Sequence, residues 1–172
     1  PAAWPAGVTV DSLGLNPTIP WDGGMREAWV PGEVAGRTRL AAFVAAPVGE
    51  YAGQRDIPSS AGTSMISPYL HFGEVSPREA WHAAGDAMKG RGAAFAANTE
   101  KFRAELGWRD FGSHVLANFP RTAEDPLRME FRRFPWRTDA AQLRAWQRGR
   151  TGYPFVDAGM RQLWSTGWQH NR

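Results

Sequence analysis

Cysteine is absent from the 172 residues, which excludes both a disulfide framework and thiolate chemistry. Long apolar runs are missing as well. No stretch of 18 apolar residues exists to span a bilayer, and the opening PAAWPAGVTVDSLG lacks the basic-then-apolar order of an export signal. A cytoplasmic protein that meets no membrane is the expectation. The four histidines (His71, His82, His114, His170) are too scattered for a metal site, so no metal is expected. Lysine is nearly absent, and the net charge of +3 rests almost wholly on arginine. That charge marks a nucleic-acid surface only where it is clustered on one face. Against these shortages stand nine tryptophans, an unusual load. Indoles are costly to bury without a partner for the N–H, and they make good platforms for flat rings such as bases and flavins.

Strand-like alternation, internal repeats and low-complexity tracts are also lacking, so the expected fold class is all-α. Residues 1–35 are rich in Gly and Pro without a sustained period and read as a linker or interdomain loop, leaving 36–172 as the helical domain. From Arg37 to Tyr51 the apolar positions recur at helical spacing, with Pro47 expected to split the run. Ser76-Pro77-Arg78-Glu79 has the form of a capping box and starts a helix through Trp81 to about Met88. The longest helix is expected over roughly Asn98–Asn118. Thr138 is the expected cap of a short helix that ends at Gly149, and Pro154 opens a last helix whose buried face comprises Val156, Met160, Leu163 and Trp164. That pattern reads as still running near Arg172, as in a fragment cut within a structural unit. Trp81, Trp146 and Trp164 are expected in the core.

Several groups carry chemistry by themselves. Thr63, Ser64 and Ser67 place three hydroxyls in five residues, in a turn between Gly62 and Pro68 where backbone N–H groups are open to an anion. An ordinary Ser/Thr turn has the same spacing. Phe102, Glu105 and Arg109 share one helical face with Trp108 on its edge, so an acid, an arginine and a large aromatic can meet at one cavity. Glu105–Arg109 is equally readable as a helical ion pair, Trp108 and Tyr51 as core, Arg55 as a solvated charge and Trp136 as a loop indole tucked on the core.

Three stretches, GTSMISPYLHFGEVSPREAW (62–81), FRAELGWRDF (102–111) and FPWRTDAAQLRAWQRGRTGYPFVDAGMRQLWSTGWQHNR (134–172), together resemble the DNA photolyase and cryptochrome family. The likeness is strongest to class I cyclobutane pyrimidine dimer photolyases, from about residue 29 onward. It implies the first half of a helical FAD- and DNA-binding domain, truncated at both ends relative to the family. The implied activity is light-driven splitting of a pyrimidine dimer flipped out of damaged DNA, with the electron supplied by reduced FAD. The implied cofactor contacts are Tyr51, Thr63, Ser64, Met65, Ile66, Ser67 and Phe102; Met65 stands where relatives often carry arginine or glutamine, and Phe102 where many carry tryptophan. Glu105 would hydrogen-bond the thymines and Trp108 would stack on the dimer. Arg109, Arg55 and Arg172 would hold the site or the DNA, and Asn171 would bridge flavin edge and substrate. Trp136 would be the surface end of an electron-transfer chain.

Asn171 favours dimer repair over signalling, since plant cryptochromes tend to carry aspartate at that place. A cryptochrome-type photoreceptor and a flavin-free helical DNA-binding remnant are the alternatives. The likeness also implies a monomeric parent protein. A folate or deazaflavin antenna pigment is implied only for a domain outside this chain, and pocket segments following Asn171, so that the 172 residues alone would bind FAD poorly and repair nothing.

Overall fold

The computed structural model describes residues 7–9 and 11–171. Regular structure among them is entirely helical: α1 (Gly23–Ala28), α2 (Glu33–Ala45), α3 (Tyr51–Gln54), α4 (Ser67–His71), α5 (Pro77–Ala87), α6 (Ala93–Asn118), α7 (Ala140–Gln147) and α8 (Pro154–Thr166), with short 3₁₀ turns between some of them. None of these helices is long and apolar enough to cross a membrane. The chain divides into two compact units. One gathers the described residues up to Val30 with Asp139–Gln169, and the other gathers Pro31–Thr138 with His170 and Asn171.

The larger unit is built around α2, α5 and the first half of α6. Leu40 and Phe43 of α2 are buried, as are Ala80 and Ala84 of α5 and Thr99, Phe102 and Leu106 of α6. Small residues on α5 allow close packing of the helices. Pro47 ends the run that begins in α2, because it cannot donate to the preceding turn; a 3₁₀ turn over Pro47–Glu50 then leads into α3. Ser76 caps α5 by accepting from the Glu79 N–H at 3.0 Å, with Pro77 at the first helical position. The second half of α6 is different. Phe111 and Leu116 keep the apolar spacing of the helix but are 53% and 50% exposed, so spacing alone did not distinguish a covered half from an uncovered one.

The smaller unit packs α1 and α7 on α8. The cap of α7 is Asp139, which accepts from the N–H groups of Ala141 and Gln142; Thr138, the expected cap, stands one residue too early for that geometry. In the first turn of α8 the carboxylate of Asp157 is buried and accepts from the Thr151 N–H at 2.8 Å, the Thr151 hydroxyl at 2.6 Å and the Gly152 N–H at 3.0 Å. α8 stops at Thr166, with Gly167 in the left-handed region at φ 69°, so the helix does not run on toward the last residues as its apolar pattern suggested. Its expected buried face is corrected too. Met160 is buried, whereas Val156 and Leu163 are more than a third exposed and Trp164 is 81% exposed. Trp146 at 48% and Trp81 at 38% are likewise outside the core.

Candidate functional site

Two features of the larger unit bring the sequence-derived residues together. In the first, the rings of Phe43, Tyr51 and Phe102 meet pairwise at centroid distances of 5.8, 4.9 and 5.6 Å, with the two pairs that include Tyr51 edge to face. This cluster is the centre of the core. Tyr51 and Phe102 are 7% and 3% exposed, and the Arg55 guanidinium carbon lies 5.4 Å from the Tyr51 ring centroid.

On this aromatic floor Arg55 forms an ion pair with Glu105, joining α6 to the end of α3 across 50 residues of sequence. The pair also touches Asp56 through the Arg55 Nε at 3.4 Å. Arg55 is buried instead of displayed as a surface charge, and its hydrogen bond to Glu105 raises the guanidinium pKa still further. Glu105 keeps about a quarter of its side chain accessible, with 28% exposed. A half-covered carboxylate held from beneath by a permanently charged guanidinium can accept a hydrogen bond from a ligand without reorienting. Nothing in the local spacing announced this partner, since Arg55 and Glu105 sit on different helices.

One turn further along α6, Trp108 is 64% exposed and packs edge to face on Phe111 at 5.7 Å. Phe111, the last residue of the 102–111 stretch, is a member of the site to which the sequence reading gave no role. The signal was present, because residues three apart on a helix are neighbours. Arg109 is exposed, donating to the Leu70 carbonyl at 3.3 Å, and is thus directed toward α4 and not paired with Glu105.

The turn over 62–67 forms separately. Gly62 is buried where an added Cβ would lie 2.5 Å from the Gln54 Cβ and 2.7 Å from its backbone, so only glycine fits. Met65 adopts φ 51°, an uncommon conformation for a residue with a side chain, and Ile66 places its side chain in the core at 2% exposure. Thr63, Ser64 and Met65 are half-buried and Ser67 opens α4 exposed. With Ile66 committed to the core, what that residue can offer a ligand is its backbone. A hollow of about 420 Å³ lies beside the turn, lined by residues that include Glu50, Gln54 and Gly62.

The remaining positions stand apart from these groups. Trp136 is 79% exposed in the loop before α7 and pairs with Phe134 at 4.6 Å. Asn171 is exposed in the irregular segment after Gly167. Arg172 lies outside the described residues.

Residues 102–172 match the family model described as the FAD binding domain of DNA photolyase. A deoxyribodipyrimidine photo-lyase of Agrobacterium fabrum is 41% identical over all of this chain, which covers 36% of that protein. Cryptochrome-1 of Arabidopsis thaliana is 40% identical over 86% of the chain, which covers 22% of it. Among solved structures, a bacterial class III photolyase from Agrobacterium tumefaciens superposes with a TM-score of 0.89 at 39% identity, over all of this chain and 35% of that one. An archaeal photolyase from Sulfolobus tokodaii, solved with two FAD molecules, gives 0.66 at 33% identity over 84% of this chain and 29% of that one. The chain thus spans about a third of the length of the relatives it matches.

Proposed function

We infer, from a chain that belongs to the DNA photolyase and cryptochrome family and carries part of its FAD-binding domain, that the whole protein repairs pyrimidine dimers in DNA with light. The observation that carries this reading is the composition of α6: a partly exposed carboxylate fixed by a buried arginine, followed one turn later by an exposed indole. That set suits a flipped pyrimidine dimer, which needs a stacking surface and a hydrogen-bond acceptor at one place.

Residues 62–67 fit an FAD pyrophosphate. Their hydroxyls are half-buried or exposed, Gly62 gives close backbone approach, and Met65 takes an uncommon backbone conformation in the turn. We assign Thr63, Ser64, Met65, Ile66 and Ser67 to that contact, with Tyr51 and Phe102 shaping the floor. FAD, when bound and reduced, supplies the light-driven electron that no side chain here can provide. Glu105 accepts a hydrogen bond from the thymine edge, with Arg55 acting through it as a positioning residue. Trp108, steadied by Phe111, stacks on the dimer. Arg109 and Arg172 meet DNA phosphate, Asn171 donates between cofactor and substrate, and Trp136 is the point where electrons enter from solution.

The class I likeness is not carried forward, since a bacterial class III photolyase aligns over the whole chain, and we propose dimer repair without a subclass. The 40% identity to a cryptochrome favours a second reading, a photoreceptor that binds FAD without repair. The test is loss of dimers from a defined oligonucleotide under blue light with the full-length protein and reduced FAD. Repair that stops when Glu105 is changed to Ala supports the first reading, and FAD binding with no repair supports the second.

A further inference from the structure

We propose that the smaller unit holds a separate site for a planar heteroaromatic anion of nucleotide type, its ring lying against Trp164 and its phosphate held by Arg148 and Arg150. Two adjoining hollows carry the proposal. One, of about 440 Å³, is lined by Trp21, Met25, Gln147, Met160, Leu163 and Trp164. The other, of about 320 Å³, is lined by Arg148, Arg150, Arg161 and Trp164. Trp164 is a wall of both, and Gln147 of the apolar hollow is followed directly in the chain by Arg148 of the basic one.

The apolar side is suited to a flat ring. Trp164 and Trp21 are 81% and 66% exposed, so two indoles border one hollow without spending their faces on the core. The thioethers of Met25 and Met160 are soft, adaptable partners for an aromatic edge. The basic side is suited to a phosphate. Arg161 is partly committed, donating to the Gly149 carbonyl at 2.7 Å and facing the Asp157 carboxylate. Arg148 and Arg150 are exposed and belong to no ion pair among the described residues, so their guanidinium groups are available for bidentate contact.

A free nucleotide fits better than a nucleic-acid strand. The cations gather at one end of an apolar hollow instead of following a track, whereas a strand needs phosphate contacts along its length. Each hollow also falls in the size range of small-molecule sites, roughly 300–1,000 Å³. The site is independent of the Thr63–Ser67 turn, which belongs to the other unit.

Titrating the full-length, FAD-loaded protein with ADP while following tryptophan fluorescence tests the proposal, because the bound FAD occupies the 62–67 turn. Saturable quenching is expected. Trp164→Ala should weaken binding by about tenfold, in line with the loss of one stacked ring. The double change Arg148→Gln and Arg150→Gln should weaken it by at least about tenfold and flatten its salt dependence. Inorganic phosphate should compete only at concentrations at least about tenfold higher than ADP, because it cannot use the ring slot. Far-UV circular dichroism should match across all variants. No binding at millimolar ADP overturns the proposal, as does equal affinity in the Trp164 and double-arginine variants. Trp164-dependent binding of oligothymidylate more than about tenfold tighter than ADP would overturn it in favour of a strand contact.

Discussion

In the larger unit three buried rings face one another: Phe43, Tyr51 and Phe102 close a core beside which the Arg55–Glu105 pair is set, although Trp108 and Phe111 of the same unit stand exposed. In the smaller unit Trp21, Trp146 and Trp164 are all about half exposed or more, and Met160 is the one buried apolar residue among those described. The smaller unit is instead tied by polar contacts. The Asp157 carboxylate gathers Thr151 and Gly152, Arg161 reaches Gly149, and the Trp29 indole donates to the Thr166 carbonyl at 2.7 Å. Similar aromatic content thus has two uses. Where rings pack on rings they set stability, and where they stand beside arginines they leave surface for ligands.

Phe102→Ala is the change with the largest expected effect, since it opens a cavity at the meeting point of three rings; a loss of about 3–5 kcal/mol in chemical denaturation is predicted. A loss under about 1 kcal/mol would show that the aromatic cluster is not the core it is described as. Arg55→Ala should cost about 2 kcal/mol. That is below the 3–5 kcal/mol typical when one partner of a fully buried pair is removed, because Glu105 keeps access to water.

The smaller unit should reveal itself through pH. Hydrogen bonds from the Thr151 hydroxyl, first of all, and from the backbone of Thr151 and Gly152 hold the Asp157 carboxyl below the usual carboxylate range. A depressed folded-state pKa gives stability that is fully present above the unfolded value, about 3.9, and is lost as pH falls through the folded value. Hydrogen exchange across 149–166 should accelerate in that acid window while α2 and the first half of α6 stay protected. Asp157→Asn should abolish the pH dependence, and an unchanged acid transition in that variant would remove Asp157 from the explanation. At the small end, Trp164→Ser should shift global stability by less than about 0.5 kcal/mol, as befits an exposed ring. A larger drop would mean that Trp164 packs after all.

Much of the fold was legible in the sequence because its signals are local. The Ser76 cap, the break at Pro47 and the start of α8 at Pro154 each depend on residues within a turn of one another. The exposure of Trp164 and of the second half of α6 was not legible, because apolar spacing reports which residues share a face and not whether another element covers it. The short helix α1 gave no sustained period to read, its six residues beginning with two glycines. At the site, the likeness to a known family supplied Glu105 and Trp108 as candidates, whereas the Arg55–Glu105 pair required the folded chain to appear.

The most direct test of the account is the affinity of the full-length protein for one oligonucleotide with and without a thymine dimer, before and after Trp108→Ala. The account predicts that the variant loses about 1–3 kcal/mol of binding to the damaged strand, roughly 5- to 150-fold, with affinity for undamaged DNA nearly unchanged. Equal loss on both DNAs, or no loss on either, would contradict it.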